Sequence, residues 1–186
     1  MDQDVLPPEN GDLDIIDMDR ADLGFASEVA AQPGGEGIRK CLACGSCSAA
    51  CPVLRHAKGY DPRRLIRLVI LGQREEVLKD PLIWLCSTCY SCHEVCPQNV
   101  SFTEISFVLK NMAVEAGHFP PALGAQVDLL REHGRLYEVG EFENEKRTEM
   151  GLPEVAERPD NFQVVLAPLA KRLNQHKADS KGSEES

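Results

Sequence analysis

The stretch CLACGSCSAACPV, residues 41–53, is answered by CSTCYSCHEVCPQ, residues 86–98. In each, cysteines stand three, three and four residues apart, and a proline follows the last. Cys41, Cys44, Cys47 and Cys51 each have a counterpart 45 residues on, in Cys86, Cys89, Cys92 and Cys96. These eight are all the cysteines the chain has. Four thiols crowded into eleven residues, twice, is the feature any account of the chain must explain.

Length and composition bound that account. At 186 residues the chain has room for one compact domain and extensions. Aromatic residues make up only 5%, so the expected core is aliphatic and modest, and metal-type cysteines would supply part of the stability. No stretch approaches the roughly 18 apolar residues of a membrane span. The first residues are acidic, with no basic segment leading into an apolar one, so no secretory signal is expected. A cytoplasmic location is the expectation, and there regular cysteine spacing points to metal or redox chemistry rather than disulfides.

The net charge of -10 is unevenly spread. Residues 1–36 hold ten acids and one base, Arg20, whereas residues 37–120 hold ten bases and seven acids. Residues 121–186 hold nine bases and thirteen acids. Acidic ends around a near-neutral middle argue against a nucleic-acid partner. Bases in the middle suit a centre whose bound thiolates add negative charge.

The spacing of the cysteines selects the metal. Three thiolates at two-residue gaps wrap one corner of an iron–sulfur cube, and the fourth reaches the other cluster in two-cluster ferredoxins. The expected ligand sets are therefore Cys41, Cys44, Cys47 and Cys96 for one [4Fe–4S] cluster, and Cys86, Cys89, Cys92 and Cys51 for the other. The rival metal reading is a pair of four-cysteine zinc sites forming an interaction module. Such sites ordinarily need two well-separated knuckles to close a tetrahedron. Gly45 lets the backbone approach the first cluster closely, and Tyr90 takes its place in the second motif. His93 reads as a solvated or hydrogen-bonding side chain, because the ligand set is complete without it. Trp84 is expected to pack over the second cluster.

Between and beyond the motifs the chain reads as helix. Asp61 and Pro62 form a helix start, Leu65, Ile66, Leu68, Val69 and Leu71 an apolar face, and Gly72 a stop. Arg63, Arg64 and Arg67 fall on the remaining surface, as a solvated face or as a patch that docks a partner or screens a cluster. REEVLK, residues 74–79, predicts a second short helix, and Asp80–Pro81 another start. Ser101 and Glu104 have capping-box spacing, followed by Ile105, Val108, Leu109, Met112, Ala113 and Ala116 at helical period and Gly117 as a stop. The repeat unit is thus a cysteine loop followed by an amphipathic helix.

The flanks are thinner. Residues 7–22, PPENGDLDIIDMDRAD, read as an acidic flexible tail in which Ile15, Ile16 and Met18 are small docking spots. DLGFASEVAAQPGG, residues 22–35, predicts a short helix ending at Pro33–Gly34–Gly35. ALGAQVDLLREHGRLYEVG predicts one more helix, and EFENEKRTEMGLPEVAERPDN reads as a charged loop. FQVVLAPLAKRL, residues 162–173, is a short apolar contact segment ahead of a disordered end. The expected organisation is a tail over 1–24, a two-cluster domain over 25–119, a partner-binding arm over 120–173 and a free end over 174–186.

No GxGxxG, no P-loop and no spare cysteine is present, so the residues provide no place for a substrate. Three segments carry a resemblance: CLACGSCSAACPV, then DPRRLIRLVILGQREEVL (61–78), then IWLCSTCYSCHEVCPQNV (83–100). Together they closely resemble the C subunits of heterodisulfide reductases, from about Phe25 to Gly117 and weakly through GRLYEVG (134–140) and GLPEVAERP (151–159). The resemblance implies an all-α, helical ferredoxin-like domain with two [4Fe–4S] clusters in a larger complex. It implies two partners. One is a flavin-bearing A subunit that splits electron pairs, and the other is a B subunit that reduces a disulfide at clusters held by CCG motifs. This chain has no adjacent cysteines and no CCG, so the role implied is the relay between them. The alternatives are a free carrier or a relay to a membrane quinone module. The residues before Phe25 and the serine-rich end lie outside the resemblance.

Overall fold

The computed structural model of the protein describes residues 18–156. Ile15, Ile16, the 162–173 contact segment and the free end from 174 lie outside the described residues. Eight α-helices and no strand are found among the described residues, which makes the fold all-α. They are α1 (Phe25–Ala30), α2 (Ser46–Ala50), α3 (Pro62–Ile70), α4 (Arg74–Lys79), α5 (Ser91–Glu94), α6 (Phe102–Glu115), α7 (Pro121–His133) and α8 (Glu141–Glu149). Short 3-10 turns cover Ile38–Lys40 and Pro81–Leu85. None of these helices is long and apolar enough to cross a membrane. The chain divides into two compact units between His118 and Phe119.

In the first unit the start and stop signals act at the expected places. The Asp61 carboxylate accepts from the Arg63 and Arg64 backbone N–H groups at 2.8 and 3.3 Å, satisfying donors that the first turn of α3 leaves open. Asp80 does the same for Leu82 N–H at 2.8 Å, but the pair opens a 3-10 turn, not an α-helix. Leu65, Ile66, Leu68 and Val69 of α3 are buried, as are Ile105, Val108, Leu109, Met112 and Ala113 of α6. Each fully buried aliphatic side chain contributes about 1.5–3 kcal/mol. Ala116 departs from the expected pattern: it sits at the helix end and is exposed. The few aromatics are well used, with Phe25, Tyr60 and Phe102 all buried and the Tyr60 and Phe102 rings edge-to-face at 6.4 Å.

The expected capping box at α6 does not form. Ser101 makes no side-chain cap bond, and its buried hydroxyl has no partner among the described residues. Glu104 accepts instead from the Tyr90 hydroxyl at 2.7 Å. The acidic segment, expected to run free to residue 24, is tied down over its last residues. Asp22 N–H donates to Gly72 O at 2.8 Å, and the Asp22 carboxylate pairs with Arg74 Nε at 2.7 Å. Arg74 also pairs with Glu28 and lies over the Phe25 ring at 4.6 Å from its centroid. One guanidinium thereby clamps the entry to α1 against the start of α4.

In the second unit α7 stops earlier than expected. Gly134 adopts a left-handed conformation (φ 66°), so GRLYEVG leaves the helix at His133. The segment expected as a charged loop contains α8. No residue of α8 is buried, so no apolar period announces it. Local polar bonds hold it instead. Glu143 accepts from Gly140 N–H at 2.9 Å, and Lys146 and Arg147 occupy the last turn, where the helix dipole favours cations. The Asn144 side chain then clasps Val155, accepting from its N–H at 2.9 Å and donating to its carbonyl at 3.1 Å.

Gly72 and Gly117 both end helices with positive φ, 76° and 81°. A Cβ on Gly72 would stand 2.5 Å from the Asp22 carbonyl oxygen, whereas one on Gly117 would meet nothing within 4 Å. Gly117→Ala should therefore cost only the left-handed penalty of about 1–2 kcal/mol. Gly72→Ala adds a backbone clash and should cost about 3 kcal/mol or more. Thermal denaturation of the two variants under anaerobic conditions checks the difference, and equal losses would discount the Asp22 contact.

Candidate metal centre

The two motifs fold the same way. Each places left-handed residues at equivalent points, Ala43 (φ 54°) and Gly45 (φ 87°) in the first, Thr88 (φ 54°) and Tyr90 (φ 60°) in the second. Such turns are rare for residues with a Cβ and concentrate where a ligand must be clamped. Turns of this kind can present backbone N–H groups to an anionic guest. After each turn comes a short helix inside the motif, α2 or α5, and these two helices pack against each other. The longer helix that follows each motif then packs on its own short one, α3 on α2 and α6 on α5.

This arrangement sorts the eight sulfurs into two pockets. The first is lined by Cys41, Cys44, Cys47 and Cys96, the second by Cys51, Cys86, Cys89 and Cys92. Each pocket thus has three cysteines of one motif and the last cysteine of the other. Their empty volumes are about 400 and 270 Å3, counting solvent at the mouth. No group of three or more His, Cys, Asp or Glu among the described residues closes on a point that a single ion could occupy. Each set of four cysteines lines a pocket. A soft thiolate donor set of four around such a pocket fits an iron–sulfur cluster better than tetrahedral zinc at about 2.3 Å from each sulfur.

Donors already point at the sulfurs. In the first pocket Ala43 N–H donates to Cys41 Sγ at 3.4 Å and Val100 N–H to Cys96 Sγ at 3.2 Å. In the second, the Thr103 hydroxyl lies 3.4 Å from Cys92 Sγ, and the buried Tyr60 lines the pocket beside Cys86. Burial first, then the neighbouring Cys86, Cys51 and Cys92, push the Tyr60 hydroxyl well above the usual phenol range. The serine after each left-handed turn plays one role twice. Ser46 and Ser91, by hydroxyl and backbone N–H, hold the exposed thiols Cys44 and Cys89 below the usual range. At Cys44 the Arg63 charge adds to this effect. Cys47 is pushed up by burial.

The remaining expectations divide. The two arginines Arg63 and Arg64 part company: Arg64 pairs with Glu76 at 2.7 Å and Asp80 at 3.6 Å, whereas Arg63 forms a wall of the first pocket. Arg67 is exposed. His93 bonds Asn99 Oδ1 through Nε2 at 2.8 Å, a hydrogen-bonding histidine as read from the sequence. Trp84 does not stand over the second site. It packs on the margin of the core and lines neither pocket, because the 3-10 turn Pro81–Leu85 buries Leu82 and Ile83 and leaves Trp84 half-buried beside them. Tyr60 and Thr103 were not singled out from the sequence. Tyr60 has no repeat partner to draw notice, while Thr103 could have been found from its register, second in α6 as Arg63 is second in α3.

Comparisons with known proteins bear on this site. A family described as a 4Fe-4S dicluster domain matches residues 37–100. The C subunit of the H(2):CoB-CoM heterodisulfide,ferredoxin reductase of Methanothermobacter thermautotrophicus is 31% identical over 157 residues, 84% of this chain and 84% of that protein. The C subunit of the Ferredoxin:CoB-CoM heterodisulfide reductase of Methanosarcina mazei is 33% identical over 81% of this chain and 92% of its own length. An iron-sulfur C subunit of the CoB--CoM heterodisulfide reductase of Methanocaldococcus jannaschii is 34% identical over 75% and 77%. Two [4Fe–4S] clusters are the cofactors of this domain, and eight cysteines are the ligands two such clusters need.

Asp61 joins the halves of the first repeat: it caps α3 and accepts from the Ser48 hydroxyl of α2. Asp61→Ala should lower stability by about 1–2 kcal/mol, and Asp61→Asn, which keeps an accepting oxygen, by less. Thermal unfolding of the anaerobic protein measures both, and equal losses would show that the oxygen is not what matters.

Proposed function

The chain belongs to the family of heterodisulfide reductase C subunits, and on that premise we propose that it is the electron-transfer subunit of a heterodisulfide reductase-type complex in the cytoplasm. In this reading it takes single electrons from a flavin-containing, electron-bifurcating subunit and delivers them to a disulfide-reducing subunit with CCG motifs. Each bound [4Fe–4S] cluster supplies a one-electron couple. The proposed ligands are Cys41, Cys44, Cys47 and Cys96 for one, and Cys86, Cys89, Cys92 and Cys51 for the other. Residues 25–119 are the proposed cluster domain, 1–24 a tail, and the chain from 120 to 173 a partner-binding arm ahead of a free end.

The observation that carries the reading is the inventory around the sulfurs. All eight cysteines line two pockets, and none is spare to act as a nucleophile or as half of a redox-active disulfide. The side chains that reach the sulfurs are uncharged hydroxyls: Thr103, Ser46 and Ser91. Their task is to hold thiolate charge and tune its energy, which is what a relay asks of its protein. Co-purification from the native host tests the complex. A flavoprotein and a CCG-motif protein should accompany the chain, and their absence from an intact complex would overturn the reading.

Anaerobically purified protein should hold about eight irons and eight acid-labile sulfides per chain with a brown, reducible chromophore. About two zincs and no colour would replace the relay with a zinc-stabilised interaction module. Cys51→Ser should disturb the spectroscopic signal of the cluster held by Cys86, Cys89 and Cys92 and leave the other intact. Loss of the first motif's signal would reverse the ligand sets.

A further inference from the structure

The internal repeat makes the molecule its own control. α3 begins one residue after Asp61 and α6 one residue after Ser101, so Arg63 and Thr103 occupy the same second position of equivalent helices. Each lines the pocket beside its own helix. Most of what surrounds the sulfurs cancels between the halves. The serines Ser46 and Ser91 are matched, and each pocket has one exposed cysteine. Charge does not cancel: Asp61, whose counterpart Ser101 is uncharged, holds its carboxylate on the Ser48 hydroxyl and the Arg63 and Arg64 N–H groups near Cys47, and Arg63 brings a cation to the pocket itself. Arg63 is the one charged side chain lining the first pocket, and the second is lined by none, among the described residues. Its Nη1 lies 3.7 Å from where a Cβ on Gly45 would stand, over the left-handed turn that carries Cys44 and Cys47. The next position departs in the same sense. Arg64 is neutralised by Glu76 and Asp80, whereas its equivalent Glu104 brings a carboxylate to Tyr90 of the second motif.

We propose that the Arg63/Thr103 difference sets the order of the two redox potentials, making the site of Cys41, Cys44, Cys47 and Cys96 the more readily reduced. This rests on the two-cluster reading above. Reduction adds one negative charge to a site, and a nearby fixed cation stabilises the more charged state. A neutral hydroxyl bond does so less. One electron leaving the second site arrives at the first, with no proton moved and no bond made or broken. The first site is then where an electron rests between partners, and Arg63 is a tuning residue for the relay.

The test is a potentiometric titration, followed by electron paramagnetic resonance, of the full chain with both clusters loaded. Wild-type protein should show two one-electron steps. In Arg63→Gln the higher potential should fall while the lower holds, with the reduced-to-oxidised ratio of that site dropping about tenfold at a fixed potential, which is about 59 mV for one electron. Arg63→Lys should restore most of the difference, because the charge and not the guanidinium shape is at work. Thr103→Val should move only the lower potential. If Arg63→Gln loses iron, the wild-type protein still decides: raising salt towards about 1 M screens an exposed cation and should narrow the gap between the two steps. A gap indifferent to salt, a shift of the lower potential in Arg63→Gln, or a lysine variant that behaves like glutamine would each overturn the assignment. Eight irons with no shift would sink this inference alone, whereas a wild-type chain without two clusters would sink the relay reading as well.

Discussion

The exchange of one cysteine between two pockets is the constraint on which the rest of the structure depends. Cys51 leaves its own motif to line the second pocket, and Cys96 leaves its own to line the first. Neither pocket can be completed by one half of the chain. The short helices α2 and α5 must therefore pack together, because each carries its departing cysteine toward the other motif. Once they do, the positions of α3 and α6 follow, since each longer helix packs on its short neighbour. Where metal ligands from distant segments must meet, folding and binding share one free energy, and a small aliphatic core suffices.

That core is built economically. Phe25, Tyr60 and Phe102 are buried among leucines, isoleucines and valines of α3, α4 and α6. Tyr60 serves both the core and the site, with its ring against Phe102 and its side chain lining the pocket beside Cys86. Phe102 lines both pockets, so one side chain is a partition between the two sulfur sets. The periphery is secured by charge: Arg74 joins Asp22, Glu28 and the Phe25 ring, replacing apolar area that the segment before α1 does not have.

The backbone keeps the symmetry of the repeat and the side chains break it. Ala43 and Thr88, Gly45 and Tyr90, and Ser46 and Ser91 adopt matching conformations or make matching bonds. Arg63 and Thr103, and Arg64 and Glu104, do not match in charge. A duplicated scaffold with unlike surroundings places two cysteine sites of the same chemistry in different electrostatic settings.

Much of this was legible in the chain itself, because its causes are local. The eight cysteines and their spacing, the Asp61–Pro62 start, the buried period of α3 and α6 and the glycine stops all depend on residues within a few positions of one another. What stayed hidden depends on residues far apart or on no apolar pattern at all. The Ser101–Glu104 cap was lost to Tyr90, fourteen residues from Glu104, and α8 is held by polar clasps without burial. The fates of Arg63, Arg64 and Arg67 could not be told apart by sequence, since a helix surface looks alike until its neighbours are known. The order of residues alone was enough to single out the eight thiols and most of the helix starts and stops, because each of these is a matter of short-range spacing. Which side chains face each sulfur is a different kind of fact: it is set in three dimensions by the packing of α2 on α5, and no spacing along the chain encodes it.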